Sequence, residues 1–391
     1  MGRARIITFD VGAGDCIFLT LDNGENKFSI MVDCGDYTSS VKDFVINDLH
    51  NRIDLLIITH IDNDHIVGVK EMMEDENPPK IKRILFNCAQ LIRPDILPKP
   101  FPKDIDLSKI VGKQGKGSKR IHPVNAKGSL SLASIISKNE AYIKAWSSQQ
   151  EYITSATENL LLPEGFGKLI FLSPEEDNIK KLDNEFKKAF IQSFYMRYGG
   201  PYENESSIYE FILGGLSEYY PNKKHTSISS LSITSLENLL NRKEEKRTIS
   251  PANKASIAFI WECDDKRILF CGDADPEIIV YNYLCKNIKS SRGYETFEAI
   301  KVPHHGSSHN CGSHFWETFD SNHIFITGYS EKGDRPSKEC LARIVLRPTD
   351  DCRVIYYTHK NDSLEWSDSN KEVSIHLNYR LTDQAFHEFE Y

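Results

Sequence analysis

Four side chains that can bind a metal ion lie within a stretch of six residues: His60, Asp62, Asp64 and His65. Residues 53–58, directly before them, are apolar except for Asp54, which predicts a strand covered on both faces. Residues 66–73 predict the beginning of a helix. Imidazoles and carboxylates on a strand-to-helix loop can converge on one point, and this donor set suits Zn2+, Mn2+ or Fe2+. The alternative is a polar loop whose aspartates cap the helix.

Two further segments place His or Asp directly after an apolar strand. Residues 267–271 lead into Gly272 and Asp273, and the predicted strand at 298–303 leads into His304 and His305. Each segment alone is weak evidence for a metal site, because Gly-Asp after a strand is commonly a turn and histidine pairs are common on surfaces. Strand ends at one edge of a sheet are where α/β proteins assemble their sites. Three such clusters therefore indicate one shared site.

Several sequence blocks resemble those of a known family and occur in the family's order. They are 9–17, which resembles a DVGQGD opening, 31–35, the loop from His60 to His65 with Gly68, 253–259, 272–274 and 301–307. Together they resemble the metallo-β-lactamase-fold hydrolases, in the branch related to the soluble metallohydrolase domain of ComEC-type DNA-uptake proteins. The resemblance implies the α/β class, as a metallo-β-lactamase-like αββα sandwich with helical or irregular insertions. We expect one domain over 1–391, with insertions at 95–165 and 196–252.

The resemblance also implies a ligand set drawn from all three clusters: His60, Asp62, Asp64, His65, Asp273, His304 and His305. Two divalent ions, Zn2+ or Mn2+, would lie side by side. The first two residues would bind one ion and the next two the other, with Asp273 as the bridge. One of His304 and His305 would complete the second site, since alternation at a strand end lets only one face it easily. Paired ions about 3.5–4 Å apart can hold a hydroxide and neutralise a phosphoryl group, and Asp64 and Asp273 would be the catalytic carboxylates.

The chain departs from the commonest family pattern at several positions. Asp62 stands where most members have His, although ComEC-type members often carry Asp there. A further histidine of the family has no clear counterpart in this chain. With fewer nitrogen ligands, the first site should favour harder ions such as Mn2+. Five residues are expected to orient ligands or face the substrate: Asp33, Asn253, Ser256, Ser307 and Arg335. Arg335 could contact a phosphate, and a structural salt bridge is its alternative.

Composition is typical of an intracellular globular enzyme. The chain has 391 residues, of which 40% are hydrophobic, and it contains no apolar run long enough to cross a bilayer. The N-terminus leads into a strand without a signal sequence, so we expect a cytoplasmic protein with no membrane partner and no role in DNA import. Nine cysteines without a Cys-x-x-Cys pair argue against a disulfide framework. Cys16, Cys34 and Cys271 are expected to be reduced core thiols.

The charge distribution suggests a nucleic-acid partner. The net charge is −8, yet residues 99–127 hold eight basic residues and only two acidic ones, among several glycines and prolines. This composition predicts a mobile loop, which could follow a phosphate backbone. The alternative is a solvated loop without a specific role.

Three functions remain open from the sequence. The leading hypothesis is a metal-dependent phosphodiesterase that acts as a DNA nuclease through the loop at 99–127. The second is a hydrolase of a small phosphoester, cyclic nucleotide or lactone, with the insertions closing over a narrow pocket. The third is a noncatalytic partner-binding subunit of a defence or repair complex. A protein partner from the same system could also activate the nuclease.

Overall fold

A computed structural model describes most of the chain. The described residues are 2–87, 132–146, 152–190, 231–241, 249–286, 294–310, 312–329 and 335–391. The basic loop at 99–127 lies outside the described residues, as does most of each insertion expected at 95–165 and 196–252.

Strands and helices alternate along much of the described chain. The strands are β1 (Arg3–Thr8), β2 (Ile17–Asp22), β3 (Lys27–Val32), β4 (Arg52–Ile53), β5 (Leu55–Ile58), β6 (Lys80–Ile81), β7 (Ile84–Phe86), β8 (Leu160–Leu161), β9 (Lys168–Ser173), β10 (Ala258–Cys263), β11 (Lys266–Phe270), β12 (Glu295–Phe297), β13 (Ala299–Lys301), β14 (Phe319–Ser321), β15 (His323–Ile326), β16 (Arg353–Tyr357), β17 (Tyr379–Thr382) and β18 (Phe386–Glu390). The α-helices are α1 (Ser39–Asp43), α2 (Asn63–Met73), α3 (Leu132–Lys138), α4 (Glu140–Trp146), α5 (Glu176–Phe190), α6 (Ile233–Leu240), α7 (Pro251–Lys254), α8 (Pro276–Cys285), α9 (Ser313–Thr318), α10 (Lys338–Val345), α11 (Asp362–Asp368) and α12 (Lys371–His376). A π-helical turn at Phe44–Asp48 extends α1, and two 3-10 turns follow β13 at Pro303–Gly306 and Ser308–Asn310.

Two large sheets form the centre of the described structure. The first sheet has six strands in the order β18-β1-β2-β3-β5-β7, and the second has eight in the order β17-β16-β15-β13-β11-β10-β9-β8. Apolar side chains from both sheets, among them Ile17, Ile57, Phe259 and Trp261, share one buried cluster between them. This interlayer cluster holds the two sheets face to face.

Helices cover the outer face of each sheet. The apolar sides of α1, α2, α3 and α4 pack on the first sheet, where Met72 and Val45 meet Phe18 and Leu56. The helices α6, α8, α10 and α11 pack in the same way on the second sheet. The expected αββα sandwich is therefore confirmed.

Parallel strand pairs bring the ends of three ligand-bearing segments together. In the first sheet β5 lies between β3 and β7, parallel to both, and ends at Ile58. In the second sheet β11 and β13 are parallel neighbours, ending at Phe270 and Lys301. The Ile257 backbone N–H donates to the carbonyl of Thr59 at 2.9 Å, which joins the two sheets beside these ends.

Several local predictions are confirmed. Asp22-Asn23-Gly24, a sequence that predicts a hairpin turn, joins β2 and β3 as an antiparallel hairpin. The three cysteines expected in the core are free and buried. Among the described helices, none combines the length and the apolar character that crossing a membrane requires. The predicted strand at 298–303 is shorter than expected, because the chain leaves the sheet after Lys301 and turns.

Three charged side chains at the strand ends opposite the ligand-bearing loops give a prediction about acid stability. Glu298 accepts from Lys266 at 2.9 Å and pairs with His387 of β18 at 3.2 Å, so it joins the two sheets. His387, and then Lys266, lower the pKa of Glu298 to about 2. Because the folded pKa lies below the unfolded one, the stabilisation is complete above about pH 4.5 and is lost as the pH falls towards 2.

We expect Glu298→Gln to lower the free energy of unfolding by about 1–2 kcal/mol at pH 5.5. The difference from the unsubstituted protein should shrink steadily below pH 4.5. Urea denaturation of both proteins at pH 5.5 and pH 3 measures it. A difference that stays constant between these pH values would contradict the assignment.

Candidate metal centre

The ligand loop of the first sheet connects β5 to α2. Asp62 occupies the N-cap position of α2, but its side chain makes no capping hydrogen bond. Its Oδ2 instead lies 3.5 Å from Nε2 of His60. The capping alternative therefore does not account for Asp62, whose carboxylate turns towards the histidines.

Asp33 fixes the orientation of His65. Its Oδ2 lies 2.8 Å from Nδ1 of His65 and also accepts from the Thr59 hydroxyl at 2.6 Å, while its Oδ1 accepts from the Thr59 backbone N–H at 2.7 Å. Asp33 has a left-handed φ of 56°, which ends β3 and turns its carboxylate inward. With Nδ1 bound in this way, Nε2 of His65 is free to face the centre.

Asp273 lies at the middle of the cluster and is almost fully buried. Its Oδ1 is 3.6 Å from Nε2 of His65 and 3.5 Å from Nε2 of His305, and its Oδ2 is 3.4 Å from Nε2 of His304. Its backbone N–H donates to the hydroxyl of Ser256 at 3.1 Å. The end of β11 thus delivers one carboxylate that touches histidines from both sheets.

Both histidines of the pair contact Asp273, which corrects the expectation that only one could face the site. His304 and His305 do not continue a strand; they lie in a 3-10 turn with left-handed φ values of 48° and 53°. Two consecutive left-handed residues are costly away from glycine, and here they break the alternation that the prediction assumed. Nδ1 of His304 is 2.7 Å from Oδ1 of Asn310, whereas Nδ1 of His305 is 2.9 Å from the carbonyl of Thr327.

Asp64 lies on the open side of the cluster. Its side chain is 28% exposed, whereas those of His65 and His305 are fully buried. Its two carboxylate oxygens are each 3.9 Å from one of these rings, Oδ1 from Nε2 of His65 and Oδ2 from Nε2 of His305. Asp64 can therefore meet both the buried ligands and a molecule entering from solvent.

Asn253 and Ser307 have different relations to the cluster. The Asn253 amide donates to Oδ2 of Asp273 at 3.4 Å and lies 3.4 Å from the His304 ring nitrogens. The helix that carries it begins at Pro251, after Ser250 caps it. The hydroxyl of Ser307 accepts from the backbone N–H of His309 at 3.4 Å, so it supports the turn that follows the histidine pair.

Buried ligand atoms without a hydrogen-bond partner test whether the residues fit a metal. In the described part of the chain, five such atoms belong to this cluster: Nε2 of His60, Nε2 of His65, Nε2 of His305, Oδ1 of Asp62 and Oδ1 of Asp273. Leaving one buried polar atom unpaired costs about 1–3 kcal/mol. Their convergence fits divalent cations, which nitrogen and carboxylate donors of this kind would hold. The groups His60–His65–Asp273 and Asp64–His65–His305 each bring three donor atoms together.

Electrostatics at the cluster favour added positive charge. Burial alone would raise the pKa of Asp273, but His304, His305, His65 and His60 hold it well below its usual range. Burial alone would lower the pKa of His65, and Asp273 followed by Asp33 instead raises it well above its usual value. The cluster therefore attracts cations, whether protons or metal ions.

Arg335 lies at the start of a segment that packs against the histidine pair. Burial, and then the Arg335 guanidinium, lowers the pKa of His304 to about 3. Burial and Asp273 would raise the pKa of Asp64, but His65 and His305, with a smaller contribution from Arg335, lower it. The next residues pack under the histidine pair, because the Ser337 backbone N–H donates to the Gly306 carbonyl at 2.9 Å. Nε of Arg335 is buried without a hydrogen-bond partner in the described structure.

A second His/Glu group lies away from this centre and is structural. Glu298, His323 and His387 bring donor atoms close together, but Glu298 already binds Lys266. The two imidazole rings stack with centroids 3.5 Å apart and an interplanar angle of 16°. The nitrogen lone pairs of stacked imidazoles lie in nearly parallel planes, so they do not converge on one ion.

Sequence reasoning missed several residues that hold the ligands in place. Asp15, Lys301, Asn310 and Thr327 were not among the predicted site residues. Asn310 donates to the carbonyls of Asp273 and Ala274 at 3.3 and 3.1 Å while it contacts His304. Two signals were available: Asp15 falls within the family-like block at 9–17, and Lys301 falls within the block at 301–307.

Comparisons with known proteins bear on the fold. Residues 9–131 match the family model "Metallo-beta-lactamase superfamily", and the sequence has no significant match among curated proteins. One similar solved structure is the metallo-beta-lactamase fold protein YhfI from Bacillus subtilis, 9% identical, with a TM-score of 0.34 and all of both chains covered. A mutant of CmlA beta-hydroxylase is 10% identical, with a TM-score of 0.34, 99% of this chain covered and 54% of the other.

TM-scores of this size indicate only a distant likeness. The fold assignment rests on the family model and on the two face-to-face sheets with helices outside both. The chain therefore has the metallo-β-lactamase fold, and its residues 9–131 are similar to the metallo-β-lactamase superfamily.

Proposed function

We propose that this protein is a metal-dependent phosphodiesterase whose substrate is DNA. Members of the superfamily are mostly metal-dependent hydrolases that bind divalent ions, often zinc. The observation that carries the narrower proposal is the position of Arg335: the residues after it pack against Gly306, next to the histidine pair, and its positive charge acts on both His304 and Asp64. A neutral substrate has no need of that cation, whereas a phosphodiester carries a negative charge that arginine binds well.

The buried donors define how the chain would hold its cofactor. Two divalent ions, Zn2+ or Mn2+, would be held by His60, Asp62, His65, Asp273 and His305, with Asp64 and His304 at the opening. When bound, such ions supply positive charge to a phosphoryl oxygen and lower the pKa of a water molecule towards 7.

The chain's own residues supply the rest of the mechanism. Asp64 is ionised and partly exposed, so it can orient the attacking water and accept its proton. Asp33 and Thr327 hold the Nδ1 atoms of His65 and His305, which keeps each Nε2 directed inward. Arg335 would bind a non-bridging phosphate oxygen and so fix the substrate over Asp64.

The first experiment compares substrates of different charge and size. Single-stranded, linear duplex and circular DNA, RNA, a small aryl phosphodiester and a neutral lactone are incubated with the protein in Mn2+, Zn2+, Mg2+ or EDTA. We expect DNA cleavage that depends on the metal and stops in EDTA. Cleavage of the small phosphodiester alone would favour a small-substrate hydrolase. Hydrolysis of the lactone alone would contradict the proposal, as would metal binding without hydrolysis of any substrate.

Arg335→Gln tests the observation on which the substrate class depends. We expect kcat/KM for the phosphodiester to fall by about 10²–10³-fold, because the variant loses a charged donor at the phosphate. Metal content should not change, and Arg335→Lys should recover part of the rate, since lysine keeps the charge without the planar fork.

Arg380→Gln is the matched control, because Arg380 is exposed on the edge strand β17. It should behave like the unsubstituted protein. An Arg335→Gln protein with an unchanged phosphodiester rate would remove the argument for an anionic substrate. The nucleic-acid role of the loop at 99–127 is a further part of the proposal, and the DNA and RNA substrates address it. Activation by a protein partner is also part of the proposal.

A further inference from the structure

A buried ion pair lies directly beneath the metal cluster. Nζ of Lys301 is 2.5 Å from Oδ2 of Asp15, and both side chains are about 1% exposed. The same ammonium donates to the carbonyl of Gly272 at 3.2 Å and lies 4.0 Å from Oδ1 of Asp273. Lys301 therefore touches the backbone and the side chain of the segment that supplies the central carboxylate.

The pair connects the two sheets. Asp15 lies in the connection between β1 and β2 of the first sheet, whereas Lys301 is the last residue of β13 in the second. The Thr327 hydroxyl, at the end of β15, also donates to Oδ1 of Asp15. In addition, the Tyr329 backbone N–H donates to the Gly12 carbonyl at 3.2 Å. The β1–β2 connection is thus fastened to the second sheet at the level of the ligands.

Asp15 also acts on a ligand. Its Oδ1 is 3.3 Å from Nδ1 of His305, and the same nitrogen is 2.9 Å from the Thr327 carbonyl. Because both oxygens are acceptors, Nδ1 carries the hydrogen. A proton held at Nδ1 leaves Nε2 as an acceptor, directed at Asp64 and Asp273. The adjoining Gly14 packs against the backbone of Asp64. Asp15 is therefore linked to ligands from each sheet.

The energetics of such a pair argue for a positioning role. Taking an ammonium and a carboxylate out of water costs several kcal/mol per ion, and apolar replacements of similar volume are often as stable. Nζ of Lys301 meets the Asp15 carboxylate at 2.5 Å and the Gly272 carbonyl at 3.2 Å, contacts that suit an ammonium group. A charged pair of this kind fixes the geometry of its surroundings more than it stabilises the fold.

We propose that the Asp15–Lys301 ion pair is a positioning device that sets the separation between the metal ligands of the two sheets. The first sheet supplies His60, Asp62, Asp64 and His65, and the second supplies Asp273, His304 and His305. The inference rests on the metal-binding part of the proposed function and not on the substrate. Its test measures metal binding, so the two can fail separately.

Three full-length variants test the device: Asp15→Asn, Lys301→Met, and the two changes combined. Each is titrated with Co2+, whose visible absorption reports the coordination sphere, and its melting temperature is recorded. We expect each single variant to bind Co2+ about 10–100-fold more weakly, with an altered spectrum. The combined variant, which buries no unpaired charge, should recover much of the melting temperature but not the Co2+ affinity.

Recovery of both the melting temperature and the Co2+ affinity in the combined variant would overturn the inference. The two charges would then serve only to neutralise each other. If the unsubstituted protein binds no Co2+, the proposed function fails as well. Thr327→Val is the second route if Lys301→Met does not fold, since it removes a donor to Asp15 without changing charge. It should lower the Co2+ affinity by a few-fold, and an unchanged affinity and spectrum would overturn the inference.

The Lys266–Glu298 pair is the matched control. It joins a lysine to a carboxylate at 2.9 Å, at the opposite end of β11, and it too connects neighbouring segments. Lys266→Met is expected to lower the melting temperature and leave the Co2+ affinity and spectrum unchanged. The control pair is partly exposed, with side chains 33% and 19% accessible. A loss of affinity as large as that of Lys301→Met would show that a lysine pair far from the ligands has the same effect, and would overturn a specific role for Lys301.

Discussion

Asp273→Asn is expected to abolish metal-dependent hydrolysis, with kcat/KM lowered by at least about 10³-fold. The substitution keeps the shape of the side chain but replaces a carboxylate whose oxygens lie 3.4–3.6 Å from Nε2 of His65, His304 and His305. An amide offers one neutral oxygen in place of two charged ones, so it cannot bind a cation through each oxygen as the carboxylate would. We therefore expect the metal content per chain to fall as well, as measured by atomic spectroscopy on the dialysed protein.

Asp275→Asn is the control for this prediction. Asp275 is only two residues further along, but its side chain caps α8 by accepting from the Glu277 backbone N–H. Asparagine is also a good N-cap residue, so this variant should keep its stability, metal content and rate. An Asp273→Asn protein that retained its rate and its metal would exclude Asp273 from the centre.

Gly14→Ala is expected to disrupt the centre without touching a ligand side chain. A Cβ at position 14 would lie 1.5 Å from the carbonyl oxygen of Asp64 and 2.5 Å from its carbonyl carbon. Both are backbone atoms, so no side-chain rotation relieves the overlap, and the ligand loop must move. We expect a loss of about 3 kcal/mol or more in the free energy of unfolding and a Co2+ affinity at least about 10²-fold lower.

Gly24→Ala separates this steric effect from that of adding a methyl group to a glycine in a loop. Gly24 lies in the β2–β3 hairpin with a φ of 88° and no atom within 4 Å of a built Cβ. It should cost about 1 kcal/mol through its backbone conformation alone and leave metal binding intact. Urea denaturation and Co2+ titration of both variants make the comparison. Equal behaviour of the two variants would show that the contact between Gly14 and Asp64 does not hold the loop.

The local part of the site could be predicted from sequence because its signals are local. The apolar run before His60 forms β5, and the residues after Asp62 form α2. Strand-end positions for Asp273 and for the histidine pair followed from the apolar segments before them. The hairpin at 22–24 was predictable because turn chemistry depends on a few adjacent residues.

The parts that could not be predicted depend on distant residues or on unusual backbone conformations. Asp15 and Lys301 are far apart in the chain, and neither residue's neighbours indicate that they pair. Two consecutive left-handed histidines have no sequence signature, since a positive φ is uncommon for any residue other than glycine. The C-terminal strand β18 was also missed; it pairs with β1, and such long-range pairing leaves no local pattern.

The division of the ligands between two sheets has a consequence for how long the protein survives. Ions that bind only when both sheets are in place stabilise the closed form by mass action, by about 2.7 kcal/mol at a free concentration 100 times the Kd. Opening of the sandwich, the step that exposes the chain to proteases, becomes correspondingly rarer. The rate of degradation would thus follow the supply of metal in its surroundings, and a chain starved of metal would be removed before it could accumulate in an inactive form.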